Sequence, residues 1–299
     1  YSGLQREITD ALVADFQSKN PNIDVVVFQA PIEALLQKIE LEVESTGGIL
    51  ADVIWTGDIL IMNDFKDRGL LDPYVPPGAD QIPANLKDPD GYWHTTVPLS
   101  LYIMYNTNNV SADEVPTAWS DLTDPRWQDR IALSDPSVSG TAAILAASLA
   151  DKYGWEYWQQ ISDLNPLINP STVSLLNLVV SGERDVAPMV DFLVWQSLEK
   201  GDPVNVVSPQ DGLPGTYIIE ALVHDARHQE AAKKLIDYLV SLDAAKLQTE
   251  RGFYHSRMDA PAPEGMPAMQ DIQFMEFDWD SYADNKDQVK ENFREIMQP

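Results

Sequence analysis

The chain contains no cysteine. That absence excludes a disulfide framework, a thiolate metal site and a cysteine nucleophile. No run of eighteen apolar residues occurs, so no segment reads as a transmembrane helix. No secretory leader is legible either. The sequence opens at Tyr1-Ser2-Gly3 without an initiator methionine, as a processed or trimmed chain would, and this allows export. Basic residues are scarce, with 20 Lys and Arg against 47 Asp and Glu and a formal net charge of −27 at pH 7. Such a chain lacks the basic footprint that nucleic-acid phosphates require, and it is repelled by anionic lipid. The acids are spread along the sequence rather than gathered in a tail. They read as a solvated surface, suited to high salt where self-repulsion is screened, with an acidic cleft for cationic ligands as the other reading.

Catalytic signatures are missing as well. No GxGxxG, P-loop, GxSxG or HExxH motif occurs. No titratable group stands beside a nucleophile or a cofactor anchor, so neither enzyme activity nor a cofactor is expected. His224 and His228 have the i, i+4 spacing of a metal pair, but no third ligand accompanies them and no metal site is expected.

What is present is an alternation of strands and helices. At 299 residues the chain suits two domains. Apolar residues at helical spacing mark 5–19, 32–44, 59–68, 142–153, 172–181, 192–200 and 228–242, and 287–297 reads as a closing helix. Strands are expected at 23–28, 53–55, 99–105, 131–133, 186–190, 204–207 and 215–223. This order predicts an α/β protein with mostly parallel sheets and helices on both faces. The long apolar strands near Leu101–Asn106 and Gly215–Val223 flank a complete α/β unit, as two crossing strands between two domains would. The expected domains are 1–103 with 223–272, and 104–222 with 273–299.

Four small polar turns follow strands or open helices: Tyr1-Ser2-Gly3, Thr56-Gly57-Asp58, Ser137-Val-Ser139-Gly140-Thr141 and Pro170-Ser171-Thr172. Hydroxyls and glycine at a helix start leave N–H donors free, and the helix dipole adds positive potential. Taken singly, each turn is an ordinary N-cap. Taken together they make an anion site that needs no lysine or arginine. Asp191 follows the 186–190 strand and suits either a helix cap or an acceptor for a ligand amine or hydroxyl. Phe192 and Trp195 stand close enough to line an apolar wall, although the tryptophans at 119, 127, 155, 158 and 195 also suit packing. The candidate ligand-binding set is Ser2, Thr56, Gly57, Asp58, Ser139, Gly140, Thr141, Asp191, Phe192 and Trp195.

The order of these motifs resembles the extracytoplasmic solute-binding proteins of ABC importers, in the subgroup that binds ferric ion and phosphonates or sugar phosphates. The opening Tyr-Ser-Gly-Leu-Gln-Arg-Glu, the Ala51–Asp58 segment, Gly69-Leu-Leu-Asp-Pro73, Met104-Tyr-Asn-Thr107, Pro116–Leu122, Ser181–Ala187 and Glu230–Leu239 carry it. The resemblance implies a two-lobed type II periplasmic-binding-protein-like fold. It further implies a monomer that traps a small solute between its lobes and docks on a membrane permease. The place implied is the periplasm or the cell exterior, with or without a lipid anchor. Ferric members resembling this chain carry a histidine, an acid and a tyrosine pair where Gln5, Gly57 and Phe192-Leu193 stand, so ferric ion is the alternative and a phosphate- or phosphonate-bearing solute the main expectation. An enzyme on the same scaffold is the reading from another class.

Overall fold

Helices and strands alternate almost from the first residue. In chain order the elements are α1 Arg6–Lys19, α2 Ile32–Thr46, β1 Val53–Thr56, α3 Ile59–Asp67, β2 Leu71–Asp72, β3 His94–Asn106, β4 Ala132–Ser134, α4 Gly140–Tyr153, α5 Trp155–Asp163, β5 Leu167–Asn169, α6 Thr172–Ser181, β6 Val186–Val190, α7 Asp191–Lys200, β7 Val204–Val207, β8 Gly215–Val223, α8 Gln229–Leu239, α9 Leu242–Thr249 and α10 Trp279–Met297. The computed structural model describes residues 1–297 apart from Asp58, and of Glu33 only the backbone.

The chain divides into two compact units, Tyr1–Pro98 with Tyr217–Gln270 and Leu99–Thr216 with Asp271–Pro299. The divisions fall inside β3 and β8, at 98/99 and 216/217 rather than at the expected 103/104 and 222/223. β3 begins at His94, ahead of the strand expected at 99–105. Its first residues, His94 to Val97, are buried and therefore need ladder partners for their backbone groups.

In the first unit β1 pairs antiparallel with β8, Val53 facing Leu222 and Thr56 facing Ile219, and β2 continues on the same strand. Ser2 adds a parallel rung on the other side of β1, bridging Trp55 and Gln29. Leu12 and Phe16 of α1, Leu35 and Ile39 of α2 and Ile54 of β1 are fully buried. Each such side chain contributes roughly 1.5–3 kcal/mol relative to exposure. Residues 23–28, expected as a strand, make no ladder beyond the rung at Gln29, and Val26 stays 89% exposed.

In the second unit β4 and β5 are parallel, and Ile131 extends the parallel pairing to Val186 at the start of β6. β3 and β7 run antiparallel to their neighbours. The sheets are therefore more mixed than the expected parallel arrangement, because the two crossing strands enter against the βαβ direction. Trp119, Trp127 and Trp158 are fully buried here, in the packing role expected of them. α10 packs on α4 and α5, with Phe293 edge-on to Trp158 at 4.9 Å and Ile296 C=O accepting from Ser162 Oγ at 2.8 Å.

Candidate functional site

At one end of the first unit's sheet, three parallel segments each run into a helix. Tyr1–Ser2 leads to α1, Gln29 to α2, and β1 to α3. Ser2 lies at the centre, its N–H donating to Phe28 C=O at 3.0 Å, while Gly3 N–H donates to Trp55 C=O at 3.2 Å. A Cβ on Gly3 would collide with the Thr56 hydroxyl, so glycine is what lets the first turn lie against the third. Gly57 sits at φ +88, a left-handed turn that releases the chain from β1 toward α3. Neither α1 nor α2 has a side-chain cap; Gln5 and Pro31 hold those positions. Among the described residues no side chain caps their first N–H groups. Ser2 Oγ is committed to Leu4 N–H at 3.2 Å, and both Ser2 and Thr56 are buried. Asp58 lies outside the described residues.

The second unit repeats the pattern. β4 leads to α4, β5 to α6 and β6 to α7, and the three strands run parallel at that end. Ser139 caps α4, its Oγ accepting from Ala142 N–H at 3.3 Å and lying 3.0 Å from Thr141 Oγ1. A Cβ on Gly140 would meet nothing within 4 Å, so the α4 start faces open space. Ser171, which the sequence singled out only as one turn among four, caps α6 in the same way at 3.3 Å from Ser174 N–H. Val138 and Val173, at 64% and 58% exposure, flank these two helix starts.

Asp191 is different in kind. It is fully buried, its Oδ2 accepting from Ser100 N–H and its Oδ1 from Phe192 N–H, each at 2.8 Å. Burial pushes the carboxyl up to about 7 against the pull of those two donors. Of its two expected roles, this geometry is that of a brace between β3 and the start of α7. Phe192 is half-buried. Trp195 is half-buried too, and its indole N–H is enclosed with no hydrogen-bond partner among the described residues.

The histidine pair does not converge on a common point. His224 Nδ1 lies 2.8 Å from Asp72, and His228 Nδ1 lies 3.1 Å from Asp52. Among the described residues no group of three His, Cys, Asp or Glu side chains is placed to hold a metal ion. Sequence reasoning missed Asp211, which takes the Trp119 N–H and the Tyr153 hydroxyl and ties the end of α4 to the segment before β8. Nothing in its local sequence distinguishes it from the other acids.

Residues 49–285 match a family model described as bacterial extracellular solute-binding protein. The sequence is 25% identical to Iron uptake protein A1 of Synechocystis sp. over 304 residues, covering 96% of this chain and 81% of that protein. Its fold is similar to that of a Trichodesmium protein (IdiA, FutA) in complex with iron and citrate, at a TM-score of 0.81, 21% identity and coverage of 99% and 98%. It is similar also to the periplasmic binding protein AfuA of Actinobacillus pleuropneumoniae with fructose-6-phosphate bound, at 0.78, 20% identity and coverage of 100% and 97%.

Proposed function

Because the chain belongs to the family of bacterial extracellular solute-binding proteins, we propose that it serves an ABC import system and that its solute carries a phosphate or phosphonate group. It binds as a monomer, does no chemistry on the solute and hands it to a membrane permease. The observation that supports this reading most is the repeated strand-end pattern, in which each unit starts three helices at one sheet end, with Thr56 and Gly57 ahead of α3 and the Ser139 and Ser171 hydroxyls at the α4 and α6 starts. Helix N-termini of this kind favour a compact anion, and each end contributes about 0.3–1 kcal/mol. Direct charge-assisted bonds add about 1.5–3 kcal/mol each. The donors assigned to an anion are, in the first unit, the α1 and α2 starts with Thr56 and, in the second, Ser139, Gly140 and Thr141. Phe192 and Trp195 supply the apolar contact. Asp191 holds β3 to α7 and leaves the solute alone.

A second reading is ferric ion, favoured by the likeness to Iron uptake protein A1. Gln5, Gly57 and Phe192-Leu193 supply none of the hard, charged oxygen ligands that ferric iron prefers. Calorimetry on the native chain and Thr141→Val separates the two. Loss of one donor is expected to weaken binding of a phosphate ester roughly tenfold, equal to about 1.4 kcal/mol, with the unfolding midpoint unchanged. Tight binding of ferric citrate with an intense visible tyrosinate band, and no heat with phosphate esters, would replace this reading with the ferric one.

A further inference from the structure

On the face of the first unit's sheet that α8 covers lies a buried ionisable pair that the solute-binding reading does not use. Val53 stands opposite Leu222 and Trp55 opposite Glu220 in the β1–β8 ladder, and residues placed so share one face of a sheet. Val53 and Leu222 pack with Ala232 and Ile236 of α8, so Glu220 lies on the same face. β3 is the next strand beyond β8, and His94 on it has its Nδ1 3.0 Å from Glu220 Oε1. Two residues along β3, Thr96 Oγ1 accepts from the Trp55 indole N–H at 3.0 Å and donates to Ile218 C=O at 3.2 Å. Side chains thus tie β1, β8 and β3 together on one face.

His94 and Glu220 are both buried, and Glu220 Oε2 is enclosed with no hydrogen-bond partner among the described residues. A carboxylate with one bare oxygen away from water is costly, whereas a carboxylic acid leaves only a carbonyl there. The groups facing the pair favour the acid. Asp237 of α8 adds negative potential, its Oδ1 accepting from the Tyr74 hydroxyl at 2.7 Å. Tyr74, which follows β2, is a neutral phenol, pushed up to about 12 by burial and by Asp237. Lys233 of the same helix stands over the Tyr74 ring at 5.7 Å, and among the described residues no lysine or arginine forms an ion pair with Glu220. β1 presents the uncharged Trp55. Burial raises the Glu220 carboxyl above its ordinary value against the pull of His94, and Asp237 adds to the rise.

We propose that Glu220 keeps its proton at neutral pH and donates it to His94 Nδ1, and that this shared proton latches β8 to β3. The chain divides into its two units inside these same two strands, so the latch sits in elements that both units share. When the proton leaves to solvent, a carboxylate is set against the imidazole lone pair and against Asp237, and the pairing of the strands weakens. The sign follows from the raised carboxyl. The folded chain holds a proton that the unfolded one releases above the ordinary value of 4.5, so the contribution is full below that pH and is lost as pH rises through the folded value. The device is independent of which solute the protein binds.

The test uses the protein without solute, as the native chain and as Glu220→Gln, between about pH 6 and about pH 9. Infrared spectra of protein labelled with heavy carbon at its glutamate carboxyls separate Glu220 from Asp191, the buried aspartic acid of the second unit. The expected result is a protonated glutamate band at the acid end, absent from Glu220→Gln, that fades toward the alkaline end. Over the same range the protection of the Trp55 indole N–H against hydrogen exchange should fall roughly tenfold or more in the native chain. It should stay level in the variant, whose amide keeps a hydrogen bond to His94. Absence of the band at the acid end, fading of the band without loss of protection, or the same loss in the variant overturns the proposal. If the variant does not fold, the labelled native chain carries the test alone. Fading and loss of protection at one pH support the latch, and at different pH values they overturn it.

Discussion

The Asp191 carboxylate lies between two backbone N–H groups ninety-one residues apart in one case and adjacent in the other. Its neighbourhood in sequence, a strand followed by a helix, discloses a cap. The Ser100 contact and complete burial are products of packing and leave no local trace. The consequence is a pH dependence of defined sign. With the folded carboxyl near 7 and the unfolded one near 3.8, the native state holds a proton that the unfolded state releases. Stability from this group is present below about pH 4 and is lost as pH rises through 7, by an amount on the order of 4 kcal/mol. Asp191→Asn, which keeps one acceptor, is expected to flatten urea midpoints between pH 4.5 and 7.5. Asp191→Ala strands both N–H groups and should lower the midpoint at every pH, by about 2–4 kcal/mol in stability. An unchanged pH profile in the Asn variant would contradict the brace.

At the scale of elements, strong periodicity was readable and junctions were not. β6, β7, β8 and α6 stand at the expected residues. The expected helix over 228–242 is instead α8 followed by α9, because Ser241 accepts from Ala244 N–H at 3.2 Å and starts a new helix. α10 begins at Trp279 rather than Asp287, and its first turns carry only Trp279, Tyr282 and Ala283 among polar residues, too few for an apolar stripe. Residues 23–28 have the composition of a strand without its ladder, since composition reports what a segment suits and pairing depends on what lies beside it. The polar turns were legible as caps, and two behave so. Ser139→Ala is expected to cost about 1 kcal/mol of stability through α4 and Ser171→Ala about the same through α6. Of the two, Ser139→Ala should also weaken an anionic ligand, because its hydroxyl lies 3.0 Å from that of Thr141. Equal loss of affinity in both variants would place the anion elsewhere.

For the whole molecule, the alternation of strands and helices and the two long crossing strands disclosed a two-unit α/β protein, and the motif order disclosed the family. The ligand was not legible to the same degree. A helix start with hydroxyls serves capping and anion binding with the same atoms, and only their collection at one sheet end separates the two uses. The net charge of −27 sets a further expectation. A dianionic solute approaching so acidic a surface is repelled at long range, and salt screens that repulsion over a Debye length of about 10 Å at 0.1 M. The association rate of a phosphate ester, followed by stopped-flow tryptophan fluorescence, should therefore rise with sodium chloride between 0.02 and 0.5 M, roughly by up to tenfold. A rate that falls with salt would mean a local cationic funnel or a cationic ligand.

The central claim is that neutral donors at helix starts hold an anionic group. It is tested most directly by titrating the protein calorimetrically with a hexose 6-phosphate and with the same hexose lacking phosphate, in one buffer. The account expects saturable heat from the phosphate ester and none from the free sugar. Binding of the free sugar with equal affinity, or of neither while ferric citrate binds, would contradict it.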